Sequence, residues 1–157
     1  MLDLPVGTGH FTLEWSDHHN GVVVGVDIAA GMVRKTAARA AELGVSNVVA
    51  LQADAQRLPF STGAFGAVMC TNGLQVMPGL EGALREIRRM LAPSGVLLVT
   101  VIHVPLGALV PRGVAAHLPA LLRSRAGLVE ALEGAGLEVT AARSSRLALL
   151  IEARPAG

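Results

Sequence analysis

Asp3-Leu4-Pro5-Val6-Gly7-Thr8-Gly9 decides the fold of this chain. An apolar strand end, Met1–Leu4, runs into a glycine-rich turn, and Phe11-Thr12-Leu13-Glu14-Trp15 can then start a helix. A strand, a glycine turn and a helix in that order aim backbone N–H groups and a helix N-terminus at a ligand. A second apolar run, Val22–Val26, closes on Asp27, 20 positions after Gly7. A carboxylate at that distance can hold both hydroxyls of a ribose; it can also cap a helix beginning near Ala29. The Gly-Thr-Gly turn alone could be an ordinary strand–helix connection. Together with Asp27 it reads as a nucleoside-binding half-site.

Working outward, five apolar runs read as strands of a sheet buried on both faces: Met1–Leu4, Val22–Asp27, Val48–Gln52, Ala64–Cys70 and Gly95–Ile102. They are continuous rather than alternating, as a parallel sheet covered by helices requires. Alanine-rich Gly31–Leu43 is helical and stops at Gly44, a C-terminal cap. Leu80–Leu91 places Leu80, Ala83, Leu84, Ile87 and Leu91 on one helical face, with Glu81, Arg85, Glu86, Arg88 and Arg89 on a charged, solvated one. Pro93-Ser94-Gly95 then turns the chain into the fifth strand. A Pro/Gly-interrupted stretch, His103–Pro119, precedes a helix over Ala120–Glu133. Two last strands, Leu137–Ala142 and Leu147–Ala153, form a hairpin around Arg143–Arg146. The pattern specifies an α/β fold: a Rossmann-like, open, mostly parallel seven-stranded sheet with helices on both faces and a C-terminal antiparallel hairpin, all in one domain over 1–157. Ligands of such sheets bind outside the carboxyl ends of the strands.

Composition removes several functions. With 52% hydrophobic and 16% charged residues the chain is not disordered. A net charge of +1, three Phe, one Trp and no Tyr give neither the electrostatics nor the stacking surface of a nucleic-acid binder. Cys70 is the only cysteine, which fits a reducing cytoplasm. The apolar run from Gly95 to Val110 is broken by His103 and Pro105 and is too short to span a membrane. His18-His19 lacks a third ligand, so no metal is expected.

The block Gln52-Ala53-Asp54-Ala55-Gln56-Arg57-Leu58-Pro59-Phe60 follows the third strand. The Asp54 carboxylate could accept a hydrogen bond from an exocyclic amine while the Ala55 N–H donates to a ring nitrogen, which would read an adenine edge; Asp54 could equally cap a turn. Ile28 and Met32 offer apolar contact to the ring. At these residues the chain resembles the class I S-adenosylmethionine-dependent methyltransferases, in particular small-molecule enzymes of the ubiquinone/menaquinone-biosynthesis type. The resemblance runs over residues 1 to about 103 in four ordered blocks: LDLPVGTGHFTLE, VVGVDIAAGM, NVVALQADAQRLPF and GAFGAVMCTNGLQVMPGLEGALREIRRMLAPSGVLLVTV.

The resemblance implies S-adenosyl-L-methionine as cofactor and an in-line methyl transfer to a C or O nucleophile of a small molecule. It implies that Asp3, Gly7, Thr8 and Gly9 line the methionyl part, that Asp27 takes the ribose and that Asp54 with Ala55 takes adenine. Thr71 and Asn72 would border the methionyl group and the acceptor. If the nucleophile must lose a proton, His103 is the best-placed base, although a plain loop residue is the commoner reading; His10 and Gln75 are candidate acceptor contacts. The family usually has glycine where Pro5 stands, and proline removes one N–H donor. The family also carries helices ahead of its first strand that cover the cofactor, and these are expected to be missing here. The alternative is therefore a non-catalytic cofactor-binding or structural remnant, in which a homodimer would hide the exposed apolar surface. A nicotinamide-binding protein is disfavoured because Thr12 replaces the third glycine of GxGxxG.

Overall fold

In a computed structural model, which describes residues 1–74, 77–102, 125–145 and 148–157, the strands assemble into one seven-stranded sheet of order β3-β2-β1-β4-β5-β7-β6. They are β1 (Leu2–Asp3), β2 (Val23–Asp27), β3 (Val48–Gln52), β4 (Phe65–Thr71), β5 (Leu91–Ile102), β6 (Leu137–Ser144) and β7 (Ala148–Pro155). The first five pair in parallel, and β7 runs antiparallel to both β5 and β6. The helices are α1 (His10–Ser16), α2 (Ala30–Glu42), α3 (Leu80–Met90) and α4 (Arg125–Gly134). The part of the expected fourth helix before Arg125 lies outside the described residues. Strand order turns back at β1, which sits between β2 and β4, so the crevice that binds ligands in such sheets opens above the carboxyl end of β1.

The core joins Leu2, Leu4 and Val26 of the central strands to Leu84, Ile87 and Met90 of α3 and to Leu128 and Leu132 of α4. The period-3.6 apolar face read for α3 is the face that is buried, with Ala83, Leu84, Ile87 and Met90 out of solvent. Helix α2 ends as expected at Gly44, which takes φ +68°. The Val45 N–H donates to the Ala40 carbonyl and the Gly44 N–H to the Ala41 carbonyl, the paired bonds that close a helix when a glycine enters the left-handed region.

Three expectations are corrected. β3 is not covered on both faces: it is the sheet edge, and Val49 is 52% exposed. Pro93-Ser94-Gly95 does not precede β5 but lies inside it. Phe65 pairs with Leu91 and Ala67 with Val96, so the stretch of β5 between these pairs is longer than that of β4 and the excess is taken up as a bulge. Finally, Glu86, Arg88 and Arg89 are not simply a wet face of α3, because they hold backbone groups of distant elements.

Candidate functional site

The glycine turn is held from three sides. Gly7 and Gly9 take φ +56° and +72°, conformations that side chains disfavour. A Cβ on Gly9 would stand 2.7 Å from Thr36 Cγ2, so α2 presses directly against the turn. Thr36, fully buried, donates its hydroxyl to the Gly7 carbonyl at 3.0 Å. From β2, Asp27 Oδ2 accepts the Gly7 N–H at 3.0 Å while Oδ1 accepts the Ala29 N–H at 2.9 Å. Asp27 therefore closes the start of the α2 turn and steadies the glycine loop with one carboxylate. Each of its oxygens has a further lone pair. The sequence pattern alone does not assign Thr36 a role; the lone hydroxyl of an alanine-rich helix is the signal that marks it.

Asp3 lies beneath this turn, 2% exposed. Its Oδ2 accepts the hydroxyl of Thr12, and among the described residues its Oδ1 is the buried side-chain oxygen without a partner. Burial pushes the Asp3 carboxyl up to about 6, against the lowering effect of the bond from Thr12; the Asp27 charge adds to the rise. Thr12, at the place of a third glycine, is thus the partner that the buried carboxylate needs.

After β3 the chain makes a tight turn in which Asp54 Oδ1 accepts the Gln56 N–H at 2.9 Å and the Asp54 carbonyl accepts the Arg57 N–H at 2.9 Å. Asp54 caps a turn, and it also faces a cavity. That cavity, about 320 Å³, lies over the ends of β1, β2 and β3 and is lined by Leu4, Pro5, Gly7, Asp27, Ile28, Ala29, Met32, Ala53, Asp54, Ala55, Met77 and Pro78. Its size falls within the usual range for small-ligand sites. A larger cavity, about 480 Å³, between α3 and α4 contains none of the candidate site residues.

The structure thus brings together Gly7, Asp27, Ile28, Met32, Asp54 and Ala55 around one cavity. Asp3, Thr8, Gly9, Thr71 and Asn72 stand outside its lining. Thr71 ends β4, and Asn72 follows with φ +53° and its N–H donated to the Thr100 carbonyl at 2.7 Å. Pro5 packs so closely on this segment that a Cβ on Gly73 would fall 2.0 Å from Pro5 Cδ. His10 is exposed on α1, with its Nδ1 3.5 Å from Arg39 Nη2 and its ring edge-on to Phe11. His103 and Gln75 lie outside the described residues.

The cavity's acceptors and apolar side chains could hold an adenine nucleoside. Two carboxylates stand at its rim, the apolar side chains of Ile28, Met32 and Met77 can cover a flat ring, and the unpartnered Asp3 Oδ1 lies beneath the adjoining turn. Among the described residues no helix is long and apolar enough to cross a membrane.

A family described as a methyltransferase domain matches residues 1–95. The chain is 38% identical over 108 residues to the ubiquinone/menaquinone biosynthesis C-methyltransferase of Blochmanniella pennsylvanica, a match covering 67% of this chain and 42% of that protein. It spans about half the length of the curated relatives it matches. Its fold is similar to that of a SAM-dependent methyltransferase from Aquifex aeolicus (TM-score 0.83, 19% identity, 97% of this chain and 79% of that one). It is equally similar to the [4+2]-cyclase SpnF (TM-score 0.83, 24% identity, 99% of this chain and 75% of that one).

Proposed function

The chain belongs to the methyltransferase-domain family, and from that premise we propose that it binds S-adenosyl-L-methionine and transfers its methyl group to a carbon or oxygen of a small molecule. The observation that carries the reading is the cavity over the ends of β1, β2 and β3, where Gly7, Asp27, Asp54 and Ala55 converge. Asp27 holds the ribose hydroxyls with its free lone pairs. Asp54 accepts from the adenine amine, the Ala55 N–H donates to the ring, and Ile28 and Met32 cover its faces. Asp3, below the turn, faces the ammonium group of the methionyl part across the glycine loop.

The sulfonium of the bound cofactor supplies an activated methyl group, so the protein's task is alignment and exclusion of water. The rigidly held glycine turn and the apolar cavity walls serve that task. The relatives' names, together with a net charge of +1, support a small ring acceptor of the quinone or phenol class over a nucleic acid. The single buried cysteine suits a reducing cytoplasm.

Calorimetric titration with S-adenosylhomocysteine tests the site. Saturable binding is expected, reduced by about tenfold or more in Asp27→Ala and Asp54→Ala, the worth of a hydrogen bond to a charged group. Equal affinity in all three proteins would remove the proposed site. Transfer of labelled methyl to a panel of quinols and phenols then tests the reaction.

A further inference from the structure

The loop that carries Asp54 and Ala55 is closed locally by the bonds from the Gln56 and Arg57 N–H groups to Asp54. Beyond its turn, it is gripped by α3 at three points. Glu86 Oε2 accepts the Leu58 N–H at 2.9 Å. Arg89 donates to the Phe60 carbonyl at 2.7 Å and to the Leu58 carbonyl at 3.2 Å. The Gln56 side chain lies in a notch formed by two glycines of α3 and its cap: a Cβ on Gly79 would meet Gln56 Oε1 at 2.1 Å, and one on Gly82 would meet Gln56 Cγ at 3.1 Å. Glu86 and Arg89 also bind each other through two bonds, 2.7 Å from Arg89 Nε and 2.8 Å from Nη2.

The same helix, capped by Gly79, follows Met77 and Pro78, which also line the cavity. One rigid element therefore carries one wall by chain continuity and fixes the Asp54–Ala55 loop by hydrogen bonds. We infer that the Glu86–Arg89 pair of α3 is a positioning device that sets the placement of the Asp54–Ala55 loop and thereby the selectivity of the cavity for the adenine base. The inference rests on the nucleoside reading above. Placing a recognition group within a fraction of an ångström requires such support.

Neither residue touches the cavity, so the test reads selectivity rather than binding alone. S-adenosylhomocysteine and S-inosylhomocysteine differ at the base: the second replaces the exocyclic amine with a carbonyl oxygen that an Asp54 carboxylate would reject. Titrations of both ligands are run well below each variant's melting temperature. The wild type should prefer the adenosyl ligand, and Arg89→Gln and Glu86→Ala should lower that preference by about tenfold, the worth of one charge-assisted hydrogen bond. Arg89→Lys keeps the charge but not the fork that reaches two carbonyls, so it should recover part of the preference. It also serves where Arg89→Gln does not fold.

Arg88→Gln is the control on the same helix. Arg88 holds the Gly136 and Ala156 carbonyls, far along the chain from the Asp54 loop, and its loss should lower the melting temperature without moving the ratio. A wild-type preference that survives in Arg89→Gln, Arg89→Lys and Glu86→Ala overturns the inference and leaves the nucleoside site standing. A wild type that binds both ligands equally, or neither, overturns the adenine reading and the inference with it.

Discussion

Replacing Asp3 by asparagine should change how stability depends on pH. Asp3 is 2% exposed, and its carboxyl is raised from an ordinary 3.8 to about 6, first by burial. Between these values the folded chain holds a proton that the unfolded chain releases. The stability associated with protonated Asp3 is therefore fully present below about 3.8 and is lost as pH rises through about 6. The shift is worth about 3 kcal/mol at 1.36 kcal/mol per pH unit. The substituted amide stays neutral throughout, so the stability of Asp3→Asn relative to wild type should improve by about 3 kcal/mol between pH 3.8 and pH 7.

Using this difference removes any constant cost of fitting an amide beside Thr12. It also cancels Glu86, whose carboxyl is held below its ordinary range, chiefly by the hydrogen bond from Arg89; that stability is present above 4.5 and is lost on acidification. Urea unfolding at half-unit pH steps, followed through Trp15, the sole tryptophan, supplies the numbers. A stability difference that stays flat, or that moves against the variant as pH rises, would refute the reasoning. Under the proposed function the same variant should bind S-adenosylhomocysteine less well, because at pH 7, above its value of about 6, the Asp3 carboxylate matches a cationic group and the neutral amide does not.

Gly73→Ala should destabilise the chain by about 1–3 kcal/mol, since its Cβ would fall 2.0 Å from Pro5 Cδ. Pro5→Gly should recover most of that loss, and a double-mutant cycle in melting temperature with no coupling would contradict the contact. Cys70, fully buried with its thiol pushed up to about 12 by burial first and the Asp3 charge second, should resist iodoacetamide at about pH 8 in the native chain and react fully in urea; rapid labelling without denaturant would contradict its placement.

The parts of the fold legible in the sequence are those that depend on local chemistry. Gly44 announces the end of α2 because only a residue at ease with φ +68° can form the paired closing bonds there. The α3 stripe of Ala83, Leu84 and Ile87 is visible because helical period and burial coincide. The bulge at Pro93–Gly95 was not legible as such, because Pro and Gly mark any departure from regular backbone, whether a turn or an insertion within a strand. The exposure of Val49 follows from β3 lying at the sheet edge, a property of strand order that no single segment carries.

The site divides along the same line. Gly7, Asp27 and Asp54 are readable because each follows or ends a strand, and each carboxylate makes a local bond, Asp27 to Ala29 and Asp54 to Gln56, although the second Asp27 bond reaches back to Gly7. The contact of Pro5 with Gly73 joins segments far apart in sequence, and nothing local to either residue predicts it. Arg89 is the clearest case. By position it belongs to the polar face of an amphipathic helix, and a polar face is ordinarily solvated. Two carbonyls from the loop after β3, Leu58 and Phe60, instead come within its reach, together with Glu86 one turn earlier. An arginine's planar fork can bind three acceptors at once, where a lysine offers a point charge. A charged helix position is thus decided by which unpaired backbone groups the tertiary fold brings to it, and in this chain those groups belong to the loop that, under the proposed function, reads the base.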